Sequence, residues 1–351
     1  MIDIKSLNRE MCPRLVRISR LRILVRILTI IVYTAILCWF AYCTFLSFFG
    51  WRIGYEPSGN SNTWVYFMGG FGVFCVLHFA LMNSMTNLKD HEIRIMRKAL
   101  RQMFPNATYS ANSSVSYRML KDSALFGLFN MEDNPIVATG YGCIKFQDED
   151  HSTSIYDIGV TSDKAAHAMY HLPVLGYLMI LYRTMVRPIF GTTIESSQHS
   201  FRGMFGAYPG LGECKGNVIL LPDHLEDKIG YFAHSIQSYK HKNGARHVIL
   251  EDPEFENLFE VYADDEVEAR KILTPAIMRR ITKLRQSFGK DMMLSFSGNM
   301  CYYAVPIPNG FLRPSRKAVK DRELFEQIFQ EINLAYRLQE ISFPSFPVHL
   351  I

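Results

Sequence analysis

The sequence predicts an α+β protein: an N-terminal transmembrane helical hairpin followed by a mixed α+β cytoplasmic domain. Three observations carry this. Two long stretches free of Lys, Arg, Asp and Glu precede Lys89, cations crowd their outer flanks, and the residues after 116 alternate short strand-like and helix-like patterns. At 351 residues, 48% apolar and only 20% charged, the chain can bury a sizeable core and is excluded from the disordered class. The net charge of +5 is modest and sits beside the apolar stretches. It therefore reads as a membrane-topology signal, and no nucleic-acid partner is expected.

Residues 1–26 form a basic leader in which Arg14 to Arg26 spaces its cations among Leu, Ile and Val. Such a helix could lie on an anionic leaflet, but cations that merely set topology explain it more simply. The hairpin occupies 27–84, with spans at about 27–49 and 64–84. As a helix, Ile27 to Phe49 reaches roughly 35 Å, enough to cross a hydrocarbon core of about 30 Å. It is too long for a cleavable signal and lacks a cleavage site. The loop near Tyr55 to Thr63 carries no cation, Arg52 being the only one between the spans, so both ends are placed on the cytoplasmic side of the membrane and the loop outside. Trp51 and Trp64 sit where interfacial anchors would. In the second span His78 reads as a neutral or headgroup-reaching residue, and Gly69, Gly70 and Gly72 as sites of close helix contact.

Residues 85–116 read as a stalk helix (Asn87 to Phe104) stopped by Pro105-Asn106, then a polar linker whose Asn106 and Asn112 acceptor sites stay silent on the cytoplasmic side. In 117–351, strand-like runs fall at Ile136 to Phe146, Ser154 to Val160, Ser200 to Tyr208, Val218 to Leu221, His247 to Leu250, Leu258 to Tyr262, Met292 to Phe296 and Cys301 to Val305. Ser297-Gly298-Asn299 predicts a hairpin between the last two. Helix-like segments fall at Asp223 to Tyr239, Asp265 to Ile272, Pro275 to Phe288 and Arg316 to Gln339. Ala165 to Tyr182 has no Lys, Arg, Asp or Glu and reaches the lower limit for a span; Pro173, Gly176 and two histidines argue instead for a membrane-interfacial or buried segment over 165–187.

No phosphate-cradling loop, nucleophile turn, H-E-x-x-H pair or dinucleotide fingerprint occurs, and no cofactor is expected. The seven cysteines form no paired C-x-x-C and read as reduced thiols, with no metal site expected. His167 and His171 share a helical face but lack a third ligand. The densest polar constellation, Glu251 to Arg270, could bind a cation or do acid–base work. Capping explains it better: Asp265-x-x-Glu268 has capping-box spacing, and Thr274-Pro275 opens a helix that places Ile277, Ile281, Leu284 and Phe288 on one face and ends at Gly289. The last helix carries an apolar stripe suited to packing.

The string His247 to Pro275, followed by MMLSFSGNMCYYAVP, together with Phe201-Arg202-Gly203 and Val218 to Pro222, resembles a bacterial family of two-span membrane proteins with a cytoplasmic domain of unknown function. The resemblance covers most of the chain from about residue 90, and Ala165 to Tyr182 departs from it. It implies fold and placement and brings no activity. The expectation is a membrane-anchored interaction or sensing module, more a binding protein than an enzyme, with the lipid bilayer and a protein partner or second copy as its partners. The alternative is a membrane-tethered, metal-assisted hydrolase of lipid or nucleotide phosphates, for which Arg202, Asp264, Asp265, Glu268 and His171 are the candidate catalytic residues. A channel or transporter subunit fits poorly, because neither span carries an acidic residue.

Overall fold

The computed structural model describes residues 4–49, 61–111, 113–126, 136–147, 152–162, 201–223, 246–308 and 323–339, with isolated positions at 177, 181–186, 189, 310, 312 and 314. Leader and first apolar stretch form one helix, α1 (Ile4–Phe49), and second stretch and stalk form another, α2 (Ser61–Met103). Both are long and apolar enough to cross a membrane. They run antiparallel and meet along their length. Glu10 bonds Lys98 at 3.1 Å, the Arg22 guanidinium pairs with Glu92, Tyr33 meets His78 at 2.8 Å, and the Phe40 and Phe67 rings lie 4.8 Å apart. A Cβ at Gly70 would overlap the Trp39 indole, which accounts for that glycine by close helix contact; Gly69 and Gly72 have open space beside them and do not serve it. The predicted loop near Tyr55 to Thr63 falls largely outside the described residues.

After α2 come β1 (Ala107–Ser110), α3 (Tyr117–Asp122), β2 (Ile136–Gln147), β3 (Ser152–Ser162), β4 (Phe201–Pro222), β5 (Arg246–His247), α4 (Pro253–Glu256), β6 (Phe259–Ala263), α5 (Glu266–Ile272), α6 (Pro275–Phe288), β7 (Met293–Pro306) and α7 (Leu324–Gln339). The strands form an antiparallel sheet ordered β1-β2-β3-β4-β6-β5, with β7 also on β4. The 22-residue β4 organises it. β7 follows one edge from Gly203↔Pro306 to Leu220↔Leu294; β3 and β6 lie end to end on the other, pairing with Phe201–Ala207 and Val218–Pro222.

Three local readings change. The stretch after the stalk is not a free linker, because Ala107 to Ser110 pairs with Cys143 to Phe146 as an edge strand and buries Ala107 and Tyr109. Ser200 to Tyr208 and Val218 to Leu221 fall on one strand, β4, which begins at Phe201. Ser297-Gly298-Asn299 is not a hairpin: the chain runs straight through, Gly298 at φ +56° forming a bulge opposite Cys214. The reason is in the side-chain period. Leu294 and Phe296 on one side of Gly298, and Cys301, Tyr303 and Val305 on the other, all face one core, so the alternation of β7 breaks once at this level where an unbroken strand would invert the face, while the extra residues of the register shift lie on β4. A Gly-Asn signal specifies dihedrals and leaves open whether the chain reverses or bulges. The helix expected at Asp223 to Tyr239 lies outside the described residues beyond Asp223, and so does the stretch from Ala165 to Gly176.

The sheet separates two cores. Met204, Tyr208, Val218 and Leu220 of β4 face α2, α4, α5, α6, α7 and the start of α1; Phe201, Phe205, Ile219 and Leu221 face a smaller cluster with α3, Leu125 and Phe126. The predicted α6 face is buried at Ile277, Ile281 and Leu284, and Gly289 closes the helix at φ +58°. In α7, Leu324, Phe325, Ile328, Ile332 and Ala335 are completely buried, so its stripe packs.

The leader is where the structure departs furthest from a helix lying on a leaflet. Leu7, Met11 and Leu15 are buried in the helix-side core beside Met96, Leu100 and Met103 of α2. Asn8 Oδ1 accepts the Phe325 backbone N–H at 3.0 Å, capping the first turn of α7 from 317 residues away. The cations Arg14, Arg17 and Arg20 are left on the outer side. Removing these contacts should loosen the whole domain. Leu15→Ala is expected to cost about 2–5 kcal/mol and Asn8→Ala about 1 kcal/mol. Chemical denaturation of the purified protein, followed by Tyr exposure, measures both.

Candidate functional site

The acidic stretch that drew attention in the sequence folds into caps and short ties. Asp252 accepts the Glu254 and Phe255 N–H groups and starts α4; Glu256 accepts the Leu250 N–H at 2.7 Å; Glu260 pairs with the Tyr262 hydroxyl; Glu266 holds Arg270 at 2.8 Å. Asp264 accepts both the backbone N–H (2.9 Å) and the side-chain amide (3.0 Å) of Asn217, which holds the end of the β4 bulge against β6. Asp265 is the N-cap of α5, accepting from Val267 N at 2.9 Å. The expected reciprocal half of the capping box is not made. Glu268 reaches across to the Lys215 N–H (3.4 Å) and Lys271 instead, because the bulged β4 brings a backbone donor within range.

Arg202 occupies the other end of β4. Its guanidinium forms a two-pronged pair with Asp157 of β3, donates to the Ile158 carbonyl at 2.7 Å and lies 4.0 Å over the Tyr141 ring. The side chains are 5% and 0% exposed. Leu312 N–H also donates to Asp157 at 3.0 Å, and a Cβ at Gly310 would collide with the guanidinium. One charge pair thus ties β2, β3, β4 and the turn after β7. β7 runs from Pro306, opposite Gly203, to Ser297, opposite Asn217; at about 3.3 Å per residue, roughly 30 Å separates Arg202 from the acids. The candidates therefore split: Asp264, Asp265 and Glu268 are neighbours, Arg202 is remote, and His171 lies outside the described residues. Among the described residues no three His, Cys, Asp or Glu side chains are placed to hold a metal ion.

Sequence reading missed a concavity of about 280 Å³ where β4 and β7 bulge against the α5–α6 junction. Its floor is Cys214, Phe296 and Ile277; Lys271, Thr274 and Glu213 stand at the rim, and Gly210, Gly212 and Gly298 expose backbone. The glycine spacing was the only sequence signal, and it means little until both bulges are opposite one another. Burial pushes the Cys214 thiol above its ordinary pKa, and the Glu268 and Asp264 carboxylates push the same way against Lys271. The thiol is therefore protonated near neutral pH and is a poor nucleophile. The pocket suits an apolar group with a polar edge.

Residues 199–341 are similar to the family described as "Protein of unknown function (DUF3137)". No curated protein and no solved structure matches the chain. The matched region runs from β4 through α7, so the Arg202–Asp157 pair joins it to β3, which lies before it.

The buried pair and the buried thiols can each be tested. Arg202→Met should destabilise the fold by about 3–5 kcal/mol by stranding a buried carboxylate, and the paired Arg202→Met, Asp157→Leu variant should regain much of that. Denaturant midpoints of the three proteins check it. Burial also pushes the Cys143 and Cys301 thiols up, to about 11 and about 12. Above the ordinary thiol value of 9 the unfolded chain releases protons that the folded chain retains. Folding stability should accordingly be intact below pH 9 and fall between 9 and about 12. Cys301→Ala should flatten that slope in pH-dependent denaturation.

Proposed function

We propose that the protein is anchored in a bacterial inner membrane by α1 and α2, with both termini on the cytoplasmic side, and that its α+β domain is an interaction or sensing module that recruits a protein partner at the membrane surface. The observation that carries the reading is the continuity of helix and core: each long helix leaves the apolar stretch without a break and ends inside the domain's own packing. A displacement of the hairpin must then strain the sheet. Bilayer crossing is supported by the apolar residues left uncovered along both helices, among them Leu37, Val76 and Phe79, each about two-thirds exposed or more. A continuous apolar surface of this length needs lipid as its solvent. Cations at Arg14, Arg17, Arg20, Lys89, Arg94 and Arg97 support an inward-facing domain.

A recruiting role is supported by the domain surface. Ile249 (66% exposed) and Val267 (71%) are exposed apolar residues on two segments tied by the Arg270 bond to the Ile249 carbonyl, with charged residues around them. Reporter fusions after residues 60, 130 and 351 should read outside, inside, inside. Cross-linking in intact cells should trap one partner, or a second copy, through this patch, and Ile249→Lys with Val267→Lys should lose it at unchanged stability. An outside reading at 130 or 351 would end the topology; a patch variant that retains the cross-link would end the docking role.

A further inference from the structure

We propose that the π-helical turn Tyr182–Val186, with Leu181 before it and Ile189 after it, is a third membrane contact, docked on α1 and dipping into the cytoplasmic leaflet so that lipid acyl chains cover its outer side. The inference rests on the bilayer reading of α1 and α2 and adds a non-spanning element to it. Its basis is two bonds. Arg26 Nε donates to the Ile189 carbonyl at 3.1 Å, and the Tyr33 hydroxyl to the Met185 carbonyl at 3.4 Å. Arg26 marks the charged border of the first apolar stretch and Tyr33 lies seven residues further in, about 10 Å along the helix. The two acceptors, at Ile189 and Met185, therefore lie at headgroup and outer-hydrocarbon depth respectively.

The backbone chemistry agrees with that depth. Lipid supplies no hydrogen-bond donors to backbone carbonyls, so a segment at that depth must find them in protein. Irregular backbone persists at membrane depth only where protein supplies the donors. Here a phenol and a guanidinium of α1 do so, at the carbonyls of Met185 and Ile189. The side chains sort accordingly: Ile189 is buried, whereas Leu181 is 49% exposed and Tyr177 73% exposed. Ile27, Leu28, Ile30 and Ile31, in the same apolar stretch of α1 as Tyr33, are likewise exposed, which is the argument for acyl chains as the cover.

Spin labels on the full chain in phosphatidylethanolamine–phosphatidylglycerol liposomes test this. Cys38 and Cys75, the two exposed thiols, are replaced by Ser, and a single Cys is introduced at Leu181, at Leu37 as the lipid reference, or at Tyr117 of α3 as the aqueous reference. The Leu181→Cys label should be about tenfold less accessible to a water-soluble nickel chelate than Tyr117→Cys, and as accessible to oxygen as Leu37→Cys. Adding Tyr33→Phe should restore chelate access at 181. If the label at 181 reads like that at 117 while 37 reads as lipid, or if Tyr33→Phe changes nothing, the proposed contact is wrong and the anchor stands. If 37 itself reads as aqueous, both fall.

Discussion

The rest of the structure depends on the burial of two helix ends in the core of the domain they carry. Leu7, Met11 and Leu15 from α1, and Met96, Leu100 and Met103 from α2, occupy the same apolar cluster as β4, β7 and α7. Each fully buried aliphatic side chain contributes about 1.5–3 kcal/mol, so these six outweigh any surface ion pair in the molecule by a wide margin. Asn8 adds direction, because its amide oxygen accepts one particular N–H at the start of α7. The consequence is a domain that is not strung on a flexible tether.

β4 is the second organising element. A strand that pairs with β7 along one edge and with β3 and β6 on the other must change partners midway, and the bulge between Pro209 and Asn217 is where it does so. The answering bulge at Gly298 keeps β7 in register with the core on both sides of the change. The concavity beside Cys214 is a by-product of two strands leaving the ladder at the same level. Its chemistry is that of a shaped apolar recess, since the thiol at its base holds its proton.

Charges in this protein mostly hold geometry. The Arg202–Asp157 pair sits where four segments converge, and it is sustained by the extra donors and acceptors around it, without which two desolvated charges would be a net cost. Asp252, Asp264 and Asp265 satisfy backbone donors at element starts and bulge ends. Exposed pairs such as Glu10–Lys98 hold the Glu10 carboxyl below its ordinary pKa, through the Lys98 hydrogen bond and charge, and order the two helix stems without much stabilising them.

Local signals in the chain determined whatever depends on local energetics. The absence of charge from Ile27 to Phe49 is enough to demand a long apolar helix; Asp265 and Gly289 mark the helix ends they occupy because caps act on N–H and C=O groups one turn away, and Thr274-Pro275 marks its helix start through the proline at the first helical position, the Thr274 side chain making no cap bond. Alternating runs located β2, β3 and β6 for a similar reason: a half-buried strand shows its period in any short window. Only the tertiary structure decided where partners sit far apart in sequence. Nothing near Asn8 announces that it caps a helix beginning at Leu324, nothing near Arg202 announces Asp157, and Gly298 reads as a reversal until β4 is laid beside it. Those choices were made by packing, which compares the whole set of buried faces at once, and no window of neighbouring residues contains that comparison.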